Sequence, residues 1–129
     1  MAPAVPRPTP FELQILRVLW VRGPSTVRDV HAVLSTRSRT TGYTTVLKML
    51  QIMAEKGLVS RDQTQRAHVY VARVAETQAQ RQLVRDLLER AFDGSASRLL
   101  MQALAVKKTT PEEIARIRKL LDELEEESR

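Results

Sequence analysis

Short hydroxyl, amide and amine side chains recur along one stretch of the chain, at a spacing that would place them together on a helix. At 3.6 residues per turn, Thr44, Lys48 and Gln51 share one face. Such groups can reach base edges in a DNA major groove, while backbone N–H groups at the helix start approach phosphates. The alternative is an ordinary surface helix of an α-helical domain. The candidate DNA contacts are Thr41, Tyr43, Thr44, Thr45, Lys48 and Gln51.

Four arginines outside this stretch are candidates for binding phosphate, because cationic side chains neutralise the DNA backbone and set the register of binding. They are Arg28, Arg39, Arg61 and Arg66. Residues 1–75 contain eleven Lys and Arg against four Asp and Glu, whereas residues 76–129 contain ten against eleven. The positive charge therefore lies in the same part of the chain as the candidate contacts, which favours a polyanionic partner there.

The stretch that carries the contacts has the pattern of an amphipathic helix. Thr40 or Thr41 can supply its N-cap oxygen, and Gly57 stands where a helix commonly ends. Its apolar side consists of Val46, Met49, Leu50 and Met53.

Two further helices are predicted before this one. Residues 1–8 are proline-rich and are expected to form a disordered lead-in. Thr9 and Glu12 have the spacing of a capping box, which predicts the start of the first helix. Ser25 or Thr26 caps the second helix, after a Gly-Pro pair that ends the first.

Beyond Gly57 the apolar period changes from 3.6 to 2. Residues 58–61 and 67–71 read as two strands around a polar turn, which predicts a β-hairpin. Three helices followed by a hairpin form the winged helix-turn-helix pattern. The predicted fold class is therefore mainly α with a small β-hairpin, and the winged domain is expected to span residues 9–75. The hairpin would bring Arg61 and Arg66 near the third helix.

Residues 76–129 are predicted to form three helices with wide apolar faces but too few residues for a core of their own. We expect these helices to pack against the same helices of a second chain, as a dimerisation domain. The alternative is that they fold back on the winged domain. A two-fold dimer would place two DNA-reading helices about 34–36 Å apart. The candidate dimerisation residues are Leu83, Leu87, Leu88, Phe92, Leu99, Leu100, Leu104, Ile117, Leu120, Leu121 and Leu124.

Several classes of function lack support in the sequence. The chain has no cysteine, which excludes disulfides and thiolate chemistry. His31 has no second ligand in range and reads as a packing or hydrogen-bonding residue, so no metal or cofactor is predicted. No phosphate-binding loop or nucleophile grouping points to an enzyme. Without an apolar run of about 18–20 residues or a secretory segment, we expect a soluble, cytoplasmic protein that does not insert into membranes.

Four segments together resemble the penicillinase-repressor family of BlaI/MecI type: residues 13–20, 26–31, 42–61 and 66–72. The run YTTVLKML, followed by KGLV and a wing, is the most specific of these signals. The resemblance covers about residues 9–125. It implies a dimeric winged-helix repressor of bacteria that binds palindromic operators upstream of β-lactam-resistance or related genes.

The resemblance also implies a route of induction. In the family's best-known members a membrane sensor metalloprotease senses the antibiotic, and the repressor is cleaved at an Asn–Phe bond in its C-terminal helices. The corresponding position here is Gln102–Ala103, which makes these two residues the candidate cleavage site and such a protease a candidate partner. The copper-responsive branch of the superfamily uses C-terminal cysteines, so a chain without cysteine cannot work in that way.

The sequence therefore predicts a homodimeric, sequence-specific repressor whose partner is double-stranded operator DNA. The alternative from another class is a winged-helix adaptor that binds proteins and has lost DNA binding. Retention on duplex DNA that depends on salt separates the two, because an adaptor would show a flat response.

Overall fold

The computed structural model describes residues 7–38, 40–64 and 66–129. The predicted lead-in at residues 1–8 falls mostly outside these ranges, and Arg39 lies outside them as well. The fold class is confirmed as mainly α with a small antiparallel sheet, although the sheet has three strands and not two. The elements in chain order are α1 (Pro10–Arg22), β1 (Ser25–Thr26), α2 (Val27–Arg37), α3 (Tyr43–Lys56), β2 (Val59–Asp62), β3 (Val69–Ala72), α4 (Glu76–Ala91), α5 (Ala96–Val106) and α6 (Pro111–Glu127).

The first two helices begin with the same local arrangement. Thr9 Oγ1 accepts a hydrogen bond from Glu12 N at 3.2 Å, and Glu12 Oε1 accepts one from Thr9 N at 2.8 Å. Thr26 and Asp29 form the same reciprocal pair at α2, with distances of 3.1 and 3.0 Å. Each capping box satisfies backbone N–H groups that have no partner within the helix. The predicted capping box at Thr9 is confirmed, and Thr26 rather than Ser25 caps α2.

The start of α3 differs from the prediction. Its N-cap is Gly42, with φ −84° and ψ 157°, and no side chain accepts a hydrogen bond from its first turn. The cap predicted at Thr40 or Thr41 is therefore wrong. Thr41 N donates to Ser38 O at 3.3 Å, so Thr41 belongs to the turn that precedes the helix. Hydroxyl spacing alone cannot identify which residue is the last in extended conformation.

The helix α3 ends at Gly57, as the sequence indicated, and the structure shows that Gly57 is a left-handed cap. Gly57 has φ 83° and ψ 13°, a conformation that L side chains rarely adopt. Gly57 N donates to Ala54 O at 3.2 Å, and Leu58 N donates to Met53 O at 2.9 Å. This pair of bonds is a Schellman motif, and the buried Leu58 and Met53 provide its apolar contact. The chain enters the sheet directly after it.

The sheet has the strand order β1-β3-β2, with both pairs antiparallel. Tyr70 in the central strand β3 is opposite Ser25 on one side and opposite Arg61 on the other. The sequence did not predict β1, because two residues are too few to show a period of two. Its pairing with β3 attaches the wing to the start of α2.

The core of the winged part lies between the first three helices and the sheet. On α3, Val46, Leu50 and Met53 are fully buried, and Met49 packs against the core from its edge. Trp20 Nε1 donates to Val74 O at 2.8 Å, which joins α1 to the segment after the sheet. The remaining buried apolar residues are Ile15, Leu16, Val18, Leu19, Val27, Val30, Leu34, Leu58, Val59, Tyr70, Val74 and Ala79.

The chain divides into two compact units, residues 1–85 and 86–129. The first unit extends into α4, where Ala79 is buried, so the boundary expected between residues 75 and 76 stays a prediction. In the second unit, α5 and α6 are described in full, and neither helix buries any side chain.

Candidate nucleic-acid interface

The polar face of α3 is open to solvent. The residues predicted to contact DNA from this helix are all exposed, and Thr41, just before it, is half-buried. The polar face points outward because the apolar side chains on the opposite face of α3 are buried in the core. The exposed set consists of Tyr43, Thr44, Thr45, Lys48 and Gln51.

A cleft of about 490 Å³ lies at the N-terminal end of α3. Arg28 from the first turn of α2, Tyr43 from the first turn of α3 and Arg66 from the wing line it together. We call it the Arg28–Arg66 cleft. Two of the four predicted phosphate-binding arginines are thus brought together by α2 and the wing, beside the exposed aromatic ring of Tyr43 on α3.

Arg61 lies in a different place from Arg66. It lines a second cleft, of about 440 Å³, together with Gln51 and Glu55 from the later turns of α3. With the Gln63 amide oxygen turned toward the guanidinium group, Arg61 Nε donates to it at 2.8 Å. Both wing arginines lie beside α3 as expected, but they flank different turns of the helix. The polar face of α3 therefore has a cation beside each end.

The turn of the wing is held by Asp62. Its Oδ1 accepts hydrogen bonds from Thr64 N at 2.9 Å and from Thr64 Oγ1 at 2.7 Å. These bonds stabilise the ionised carboxylate and lower the pKa of Asp62. Gln65, the residue after Thr64 in the predicted turn, lies outside the described residues.

The start of α2 is organised around an ionised carboxylate. The hydrogen bond from Thr26 N lowers the pKa of Asp29, and Arg22 at 3.1 Å lowers it further. Asp29 thus neutralises Arg22, which is on α1 and lines neither of the two clefts.

The prediction that His31 is a packing or hydrogen-bonding residue is confirmed, although its partners could not be named from the sequence. Its Nε2 lies 3.0 Å from Thr41 O, and its ring centroid lies 5.9 Å from that of Tyr43, with an angle of 75° between the ring planes. The available signal was its position three residues after Arg28, on the same side of α2. The contact itself crosses the loop between α2 and α3, so no local pattern could reveal it.

The candidate dimerisation residues remain accessible in the single chain. Seven of the eleven are between 36 and 54% exposed, and the other four are half-buried. The exposed leucines are Leu83, Leu87, Leu100, Leu104, Leu120, Leu121 and Leu124; the half-buried residues are Leu88, Phe92, Leu99 and Ile117. Gln102 and Ala103, the candidate cleavage site, are both exposed within α5.

The part of the chain that the structure describes contains neither a candidate metal site nor a candidate membrane span. No three His, Asp or Glu side chains there are grouped closely enough to hold a metal ion. None of the described helices is long and apolar enough to cross a bilayer.

Three capped helices, a small antiparallel sheet that follows α3 directly, and a solvent-facing polar surface on α3 define a winged-helix protein. The chain belongs to the penicillinase repressor family, whose sequence pattern matches residues 8–123. It is 37% identical over 116 residues to the transcriptional regulator BlaI of Mycobacterium tuberculosis, in the CDC 1551 and H37Rv strains. The match covers 89% of this chain and 83% of that protein.

A solved structure supports the same assignment. The solution structure of the DNA binding domain of the repressor BlaI matches with a TM-score of 0.51 and 25% identity, over 60% of this chain and 93% of that one. The family, the winged-helix fold with a DNA-binding domain, and the class of transcriptional regulator rather than enzyme are thereby confirmed.

Proposed function

We propose that this chain is a homodimeric repressor that binds a palindromic operator in a sequence-specific way. The observation that carries the proposal is the placement of one exposed polar helix face between two clefts that contain arginines. This arrangement suits a helix in the major groove with the backbone held on both sides.

The polar face of α3 would read the bases. Lys48 and Gln51 can hydrogen-bond base edges, while the hydroxyls of Thr44 and Thr45 can serve bases or nearby phosphates. Tyr43 would pack against a sugar or a thymine methyl group. These side chains need no rearrangement of the core to reach DNA, because the face that carries them is already exposed.

The arginines would bind the backbone and set the register. Arg28 and Arg66 would bind phosphate at one end of α3, and Arg61 would bind phosphate at the other end. Arg39 is a further candidate for a phosphate contact. Each phosphate that is neutralised releases condensed counterions, so affinity should fall steeply as salt rises. A protein adaptor that has lost DNA binding would not show this response.

Dimerisation is supported by the apolar surface of the second unit. Leu120, Leu121 and Leu124 on α6 are about half exposed, and α5 adds Leu100 and Leu104. A second copy of the same chain can cover these faces symmetrically, which is the commonest form of assembly for soluble proteins. The two α3 helices would then lie in the major groove on successive turns of the duplex, about 34–36 Å apart.

We further propose that the regulated genes are those of β-lactam resistance or related functions, as the family name suggests, and that repression takes place in the cytoplasm. Cleavage between Gln102 and Ala103 by a membrane sensor metalloprotease would relieve it. Gln102 and Ala103 are both exposed within α5 in the single chain, so the side chains on either side of this bond are accessible when a second copy does not cover them. Cleavage would be detected as a new N-terminus at Ala103 after co-expression with such a protease.

The deciding experiment selects the operator without assuming it. The full chain is used to enrich bound duplexes from a random pool, and the enriched duplex is then titrated at several salt concentrations beside a scrambled duplex of the same length. We expect a palindromic consensus, preference over the scrambled duplex, and a bound species that contains two chains by sedimentation. Failure to enrich any sequence, together with a flat salt response, would favour the adaptor.

A further inference from the structure

The start of α3 receives little support from its own sequence. Gly42 is the N-cap and provides no side-chain hydrogen bond to the first turn. The preceding residues form a turn in which Thr41 N donates to Ser38 O at 3.3 Å. The starts of α1 and α2, by contrast, are each stabilised by a reciprocal capping box. The first turn of the proposed DNA-reading helix therefore lacks the side-chain capping bonds that α1 and α2 have.

His31 on α2 makes a backbone contact that provides this support. Its Nε2 lies 3.0 Å from Thr41 O. A carbonyl oxygen can only accept, so Nε2 carries the hydrogen and donates it. The bond fixes the residue immediately before the Gly42 N-cap to a helix that is itself closed at its start.

The same imidazole also contacts the first side chain of α3. The ring of His31 meets that of Tyr43 edge to face, with centroids 5.9 Å apart and planes at 75°. This arrangement is among those that aromatic pairs prefer. Tyr43 is 48% exposed, so this contact leaves much of its ring available to DNA. Tyr43 also lines the Arg28–Arg66 cleft.

We infer that His31 is a positioning residue for operator recognition, acting through the Thr41 carbonyl and the Tyr43 ring. The inference rests on the proposed function and adds a residue to it that does not itself contact DNA. One side chain fixes both the backbone at the entry to α3 and the orientation of its first aromatic ring. Ordering these groups in the free protein lowers the entropic cost of forming the specific complex.

This role predicts a loss in discrimination rather than in general affinity. Arg28, Arg61 and Arg66 would still attract any duplex, because attraction to phosphate does not depend on the order of the first turn of α3. Contacts to one particular base sequence do depend on it. The ratio of affinities for the selected and scrambled duplexes is therefore the quantity that His31 controls.

Three variants separate the two contacts. His31→Phe keeps a ring against Tyr43 but loses the donor, His31→Gln keeps an N–H donor but loses the ring, and His31→Ala loses both. We expect His31→Ala to weaken binding to the selected duplex about tenfold, with about threefold losses for the other two. Binding to the scrambled duplex should change less than twofold in all three.

A second comparison tests the route through Tyr43. In a Tyr43→Ala background, His31→Phe should no longer bind better than His31→Ala, because the ring has lost its partner. Urea unfolding of each variant shows whether the domain remains folded. Equal losses on both duplexes, or no loss in His31→Ala, would overturn the inference while the wild-type preference for its selected duplex stands. A wild-type protein without that preference would overturn the proposed function and this inference with it.

Discussion

Lys56 Nζ lies 3.0 Å from both carboxylate oxygens of Glu12, and so joins the last residue of α3 to the first turn of α1. The Glu12 side chain is 1% exposed and that of Lys56 is 40% exposed. Burial alone would raise the pKa of Glu12, but hydrogen bonds from Thr9 and Lys56 outweigh it and lower the pKa. The Glu12 carboxylate thus takes part in the N-terminal cap of α1 and also binds the last residue of α3.

Loss of the cation should destabilise the first unit. Lys56→Met removes the cation that pairs with the buried carboxylate of Glu12, which we expect to cost about 1–3 kcal/mol, since Lys56 is itself partly in water. Urea unfolding measures the change. The matched control is Lys48→Met, which removes an exposed cation from the same helix and should change stability by less than about 0.5 kcal/mol. Equal effects in the two variants would contradict this role for the ion pair.

The same carboxylate should make stability depend on acid pH. Because the folded-state pKa of Glu12 is lowered, its contribution is complete above the pKa of an unfolded Glu and is lost as the pH falls through the folded value. We expect the free energy of unfolding to decrease as the pH falls below about 5. The pKa values of Asp29 and Asp62 are lowered as well, so part of this pH dependence will remain when Glu12 is replaced. Glu12→Gln should flatten the profile, and an unchanged slope would argue against the assignment.

Tyr70 offers a stabilising substitution. Its hydroxyl is buried and has no hydrogen-bond partner among the described residues, which is a costly state for a polar group. Tyr70→Phe keeps the ring in the core and removes that cost, so we expect an increase in stability of about 1 kcal/mol. Tyr43→Phe removes an exposed hydroxyl and serves as the neutral control. A loss of stability in Tyr70→Phe would show that the hydroxyl has a partner.

Two substitutions at the proposed interface should affect DNA binding in different ways. Arg66→Ala should weaken binding to any duplex and reduce the salt slope by roughly one, because it removes a phosphate contact. Lys48→Ala should weaken binding to the selected duplex by about tenfold and relax its sequence preference. Arg17→Ala, which removes an exposed cation that lines neither cleft, is the matched control. If Arg17→Ala matched Arg66→Ala in both affinity and slope, the docking face would be wrong.

The apolar face of α6 gives a direct test of dimerisation. Leu124→Glu places a carboxylate on that face and should leave a chain that sediments as the 14.7 kDa monomer. We expect operator affinity to fall by about a hundredfold or more, since the two half-sites would be bound independently. Ala115→Glu adds the same charge on the opposite side of α6, nine residues away, and should remain dimeric. Dimeric Leu124→Glu would remove this face from the proposed interface.

Local signals in the sequence predicted the elements that local chemistry determines. The capping box of Thr9 and Glu12, a cap at Ser25 or Thr26 and the helix end at Gly57 could each be predicted from residues within about one turn. The cap predicted at Thr40 or Thr41 was the exception, because Gly42 takes that position. The burial of one face of α3 follows from its apolar period. The winged-helix class could be derived from these elements and their order. The family match and the similarity to the DNA binding domain of the repressor BlaI confirmed it.

Contacts between distant residues were not predictable in this way. Nothing near Glu12 indicates that Lys56, 44 residues later, completes its surroundings. The strand β1 is defined only by its pairing with β3. The separation of Arg61 and Arg66 into different clefts is likewise visible only in the folded chain. The candidate contacts on α3 could be proposed from sequence, but the contribution of His31 required the folded chain.

The Schellman motif at Gly57 has a consequence for the kind of DNA that the domain can accept. Only Gly57 and Leu58 separate α3 from β2. Their two backbone hydrogen bonds and the burial of Leu58 restrict movement of the wing relative to the helix. This short connection limits the spacing between α3, the proposed recognition helix, and the wing. A duplex whose groove width does not match that spacing must itself deform, so base steps that no side chain touches should still influence which sites are occupied.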